Sequence, residues 1–99
     1  MYMKKVKEIN DLFSLFDEMG LYKTYGIKKV GVFGSFARGE IFRDIDLFLE
    51  EDIEYHQLMD MKHNLENLTG IPFDIMLKKN AEPVILHRAF KDMQYATAH

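Results

Sequence analysis

A chain of 99 residues, 47% hydrophobic and 29% charged, is sized for one soluble globular domain, residues 1–99, with a modest core. Its formal net charge is −3, and seven acids crowd between Glu40 and Glu54, which argues against sequence-specific nucleic-acid binding resting on Lys and Arg. The lack of cysteine excludes disulfides, thiolate metal sites and cysteine nucleophiles, and fits a reducing cytoplasm.

The basic start, Met1 to Phe13, is broken by Glu8, Asn10 and Asp11, so no signal-peptide core forms. No apolar run nears the roughly 20 residues of a membrane span. Val6, Ile9, Leu12, Phe13, Phe16 and Met19 recur at helical spacing, predicting a first helix that stops at Gly20. Lys28 to Phe33 reads as a short buried strand, with β-favouring bulk from Val30, Val32 and Phe33. Asp44 to Glu50 is a second strand. Asp52 is expected to cap a helix reaching Thr69, with Leu58, Met61, Leu65 and Leu68 as its apolar stripe. Gly70 and Pro72 end it. Pro72 to Leu77 is a third strand, and Glu82 to about Lys91 a last helix with Pro83 in its first turn. Phe13, Phe16, Phe33, Phe48 and Phe73 are all assigned to the core.

Only the second and third strands are joined through a helix, which favours a small mixed sheet over a doubly wound one. The expected class is α+β, a three-stranded mixed sheet with helices packed mainly on one face.

The chemistry gathers around Gly34-Ser35-Phe36-Ala37-Arg38-Gly39-Glu40 and Asp44-Ile45-Asp46-Leu47. Gly34 and Ser35 follow the first strand directly. Glycine lets a phosphate approach the backbone, and the Ser35 hydroxyl with the following N–H groups can donate to it. A turn that merely needs a small residue would look the same. In a strand, alternate side chains share a face, so Asp44 and Asp46 point one way while Ile45 faces the core. Such a pair suits a divalent metal carrying a polyphosphate. Exposed acids at a strand end are the plainer reading. Asp74, between Phe73 and Ile75, reads as a buried acid in an otherwise apolar strand, a costly placement unless it is paired or metal-bound. If the second and third strands are neighbours, Asp74 joins the first two acids. Arg38 suits phosphate oxygens, or is simply a solvated turn arginine. His56 and His63 lie two helical turns apart and make no His-x-x-x-His pair.

Taken together, Gly34-Ser35, Ala37-Arg38-Gly39, Asp44-Ile45-Asp46 and Asp74 resemble the signature of the minimal nucleotidyltransferases, within the DNA polymerase beta-like superfamily. The resemblance implies a nucleotidyltransferase fold, Mg²⁺ as cofactor, and ATP or another nucleoside triphosphate as substrate. It implies Asp44, Asp46 and Asp74 as metal-binding and catalytic residues, with Gly34, Ser35, Arg38 and Arg43 at the phosphates. It also implies a cytoplasmic antitoxin-like protein whose partner is a HEPN-type ribonuclease, modified by AMP transfer to a hydroxyl. Self-association stays open. The connector from Ser35 to Asp44 is shorter than usual for such proteins, and Arg43 stands where a serine commonly precedes the first Asp. These two departures favour an alternative, a catalytically degenerate nucleotide-binding module that neutralises its partner by contact.

Overall fold

The computed structural model describes residues 4–98. In chain order these form α1 (Ile9–Glu18), α2 (Leu21–Tyr25), β1 (Lys29–Phe33), α3 (Gly34–Ala37), β2 (Ile45–Leu49) and α4 (Tyr55–Thr69). There follow β3 (Phe73–Leu77), a 3-10 turn (Lys78–Asn80), α5 (Pro83–Phe90) and β4 (Gln94–Thr97). The class is α+β, as the element order predicts.

The sheet runs β3-β2-β1-β4. A short connection lets β2 return antiparallel to β1, while α4 supplies the crossover that a parallel β2–β3 pair requires. The expected three strands become four. β4 pairs antiparallel with β1, setting Lys29 opposite Thr97 and Val32 opposite Gln94. Its four residues carry little apolar signal, because only Ala96 packs against the core. The pairing arises from a partner more than sixty residues away in sequence, which local periodicity does not register.

Pleating sorts the strands into two faces. Val30, Val32, Ile45, Leu47, Leu49, Phe73 and Leu77 turn toward α1, α2 and α4, where Leu12, Phe16, Met61 and Leu65 meet them fully buried. The Tyr25 hydroxyl donates to Asp60 Oδ2 at 2.8 Å and so ties α2 to α4. Phe48 is buried from the opposite face, edge-on to Phe90 of α5 with ring centroids 5.8 Å apart. Helices therefore lie mainly on one face, with α5 covering part of the other.

Local details differ from expectation. Leu15 takes the inward place expected of Met19, which is 40% exposed beyond the end of α1. α2, a single turn between Gly20 and Gly26, is too short to show periodicity. Asp52 does not cap α4, whose cap position is Glu54. Ile53, just before it, is buried and anchors the approach. Phe13 and Phe33 are only half-buried. No helix among the described residues is long and apolar enough to cross a membrane.

Candidate active site

β1 ends at Phe33, and the chain turns at once into α3 through Gly34, whose φ is +81°. That conformation favours glycine, and space demands it as well. A Cβ on Gly34 would press into Oδ2 of Asp46. The bare backbone of the turn therefore lies directly against a carboxylate. Asp46 has Phe33 as its register partner on β1 and Asp74 as its partner on β3. The parallel pairing thus brings two acids side by side on the face away from the main core. Asp44 precedes β2 by one residue, is exposed, and lies near enough for its charge to act on Asp46.

Asp46 is half-buried, and its carboxyl is pushed up to about 6. Burial is the main cause, followed by the negative charges of Asp44 and then Asp74. None of the ion pairs among the described residues involves these three acids. A half-buried carboxylate crowded by its own kind and lacking a cation is a donor set fitted to a metal ion. No three acidic or imidazole side chains among the described residues are drawn tightly enough to hold an ion by themselves. The carboxylates present fit a divalent cation that draws only one or two of its ligands from the protein.

Asp74 departs from the expected buried acid and is exposed. β3 is an edge strand, and α5 leaves this part of its face uncovered, so Asp74 borders a cavity of about 400 Å³ instead of a core. Asp46, Phe33, Met76 and Ile85 line the same cavity. Phe33 and Ile85 also border a neighbouring cavity of about 260 Å³, walled by Gly34, Arg38 and Arg88. Together they make a two-lobed cleft, Asp46 and Asp74 in one lobe and Arg38 and Arg88, with Asp92, in the other. A larger apolar groove of about 730 Å³, between Phe16, Tyr22 and Ile27, lies at the opposite end of β1 and holds none of the three acids.

The remaining expected residues fall into place unequally. Ser35 sits in the first turn of α3, and its hydroxyl makes no hydrogen bond among the described residues. Arg38 is engaged. Its Nη1 reaches Asp92 Oδ2 at 2.6 Å and its Nε reaches Glu40 Oε1 at 3.1 Å, clamping the α3 turn to the segment after α5. Arg43 is exposed in the connector and pairs with no described residue. Arg88 was not singled out by the sequence, yet it lines the arginine lobe and forms no ion pair among the described residues. Only the seating of α5 beside Gly34 reveals it.

The mixed sheet thus sets acids of two parallel strands on one face, with the first of them beside a glycine turn. The chain belongs to the family described as Polymerase beta, Nucleotidyltransferase, which matches residues 19–95. It is 26% identical to the protein adenylyltransferase MntA of Thermococcus cleftensis over 99 residues, covering 96% of this chain and 99% of that protein. It is 32% identical over 80 residues to MJ0128 of Methanocaldococcus jannaschii, named as a candidate protein adenylyltransferase, covering 77% and 81% of the two. A solved structure of a candidate minimal nucleotidyltransferase superposes with a TM-score of 0.63 at 22% identity, covering 88% of this chain and 94% of that one. That likeness speaks for the fold. The protein is a nucleotidyltransferase enzyme.

Proposed function

We propose that the whole chain acts as one cytoplasmic, Mg²⁺-dependent protein adenylyltransferase, moving AMP from ATP to a hydroxyl of a partner protein, a HEPN-type ribonuclease in a toxin–antitoxin pair. The observation that carries the reading is Asp46, pressed against the Gly34 backbone with Asp74 as its register partner on β3. The relatives' names, protein adenylyltransferase, support ATP and a protein acceptor.

Asp44 and Asp46, with Asp74, would hold the metal, which supplies positive charge to the triphosphate and to the charge that grows on it during transfer. Gly34 leaves room for a phosphate at the backbone, and the free Ser35 hydroxyl donates to its oxygens. Arg88 meets phosphate in the second lobe with its planar guanidinium, and Arg43 offers charge at the mouth. Arg38, held by Asp92 and Glu40, fixes the turn and lines the same lobe. The acceptor oxygen attacks the α-phosphorus, and the bond to pyrophosphate breaks. Asp74, exposed beside the cavity, accepts the acceptor's proton.

The contact-only module keeps one supporting observation, the engagement of Arg38 by acids in place of phosphate. Labelled ATP separates the two readings. With Mg²⁺ and the product of the neighbouring gene, label is expected on the partner and lost on chelation. A partner that is silenced by binding yet never labelled overturns the adenylyltransferase reading.

A further inference from the structure

The two edges of the sheet are finished differently. On β3, the Phe73 N–H donates to Glu66 Oε2 at 2.9 Å and the Phe73 carbonyl accepts from Lys62 Nζ at 2.6 Å. Side chains of α4 thus cap the outer edge where β3 begins. β4 has no such cover among the described residues. The Ala98 N–H donates inward to the Lys28 carbonyl at 2.7 Å. Bonded and non-bonded pairs alternate along an antiparallel ladder, so Ala96 and Gln94 also bond inward to Val30 and Val32. Tyr95 and Thr97 must then turn their backbone N–H and C=O groups outward. No hydrogen bond among the described residues satisfies them. The strand Gln94-Tyr95-Ala96-Thr97 is short but contains no charge and no proline, two of the features by which edges refuse a partner strand.

We propose that β4 pairs antiparallel with β4 of a second copy of this chain, joining two four-stranded sheets about a two-fold axis through Ala96. The register is self-complementary. Tyr95 of one copy opposes Thr97 of the other, and the same pair recurs on the far side of the axis. Those are the two residues with outward backbone groups, so all of these groups are used. Ala96 meets its own copy in the closely spaced non-bonded position, where Cα atoms approach to about 4.5 Å and a small side chain fits. Tyr95 is 40% exposed, with Lys29 Nζ 4.3 Å from its ring centroid. Against Thr97 of the second copy it gains an aromatic–β-branched cross-strand pair. The cleft stays open, because Asp46 and Asp74 lie on β2 and β3, away from this edge.

Sedimentation and engineered crosslinking test the pairing. The wild-type protein is expected at twice the mass of the 11.7 kDa chain. Thr97→Pro removes an outward N–H without touching an inward bond, so it should yield single chains with an unchanged circular dichroism spectrum. Thr97→Val should remain paired. The chain has no cysteine, so Ala96→Cys gives a clean covalent assay. Its Cα spacing across the axis falls within the range of about 4.4–6.8 Å that a disulfide needs, and oxidation should link the copies. Gln94→Cys, about 13 Å from its own counterpart, should not link. Wild-type protein sedimenting as one chain overturns the proposal. So does a dimer that survives Thr97→Pro, or one that leaves Ala96→Cys unlinked.

Discussion

The two faces of β2 obey opposite rules. Ile45, Leu47 and Leu49 are buried without measurable exposure against the helices. On the other face, one residue along, Asp46 gathers charge beside a backbone turn and an open cavity. A single five-residue strand thus carries both the core and the candidate chemistry. The period-two pleat is what keeps them apart. It follows that stability and activity should come apart when neighbouring residues of these strands are changed.

The largest expected effect tests that separation directly. Asp74→Asn should slow transfer by about 10²–10⁴-fold, the usual worth of a positioned proton acceptor, while thermal unfolding shifts little because the side chain is exposed. Leu47→Ala should do the reverse. A fully buried leucine lost from the core costs about 2–5 kcal/mol, while the turnover of molecules that remain folded is kept. Unfolding scans and label transfer on the same preparations read both outcomes. An Asp74→Asn protein with wild-type turnover would remove Asp74 from the mechanism.

Gly34→Ala probes the contact between the turn and the acid. The left-handed φ alone costs about 1–3 kcal/mol for a residue with a side chain, and the added methyl displaces Asp46. Both stability and Mg²⁺-dependent nucleotide affinity should fall, the second measured by calorimetry. Retained affinity would show that the close approach has no bearing on binding.

Acidity offers a smaller test with a definite sign. Asp46 holds its proton more tightly in the fold than in the unfolded chain, where the ordinary value is 3.8. Its contribution to stability is therefore whole below about pH 4 and is lost as pH rises through about 6. After discount for the solvent screening of a half-buried group, the loss is about 1–2 kcal/mol. Asp46→Asn should be flat across that window, and more stable than wild type at neutral pH without metal. Added Mg²⁺ should raise the melting temperature of the wild type and leave that of Asp46→Asn unmoved.

On the closed face a polar group is only a cost. The Tyr22 hydroxyl is buried without a hydrogen-bond partner among the described residues, and burial pushes its ionisation up to about 12. Tyr22→Phe should be neutral or stabilising by up to about 1 kcal/mol, read by denaturant unfolding. A large loss would mean that the hydroxyl has a partner after all.

Much of this arrangement is legible in the residues themselves. Alternation in Asp44-Ile45-Asp46-Leu47 assigns each side chain to a face. The stripe of Leu58, Met61 and Leu65 marks the crossover helix that makes β2 and β3 parallel and so sets Asp74 beside Asp46. These are chain-local signals, because pleat and helical period act over a few residues. Tertiary structure alone decided the rest. Gln94–Thr97 becomes a strand only because β1 offers an edge, and Asp74 is exposed because the cover over β3 is incomplete. Arg38 pairs with Asp92, and Arg88 enters the cleft, because α5 comes to rest beside the Gly34 turn. Such contacts join residues some fifty positions apart. Their geometry depends on how whole elements pack, which no local pattern encodes.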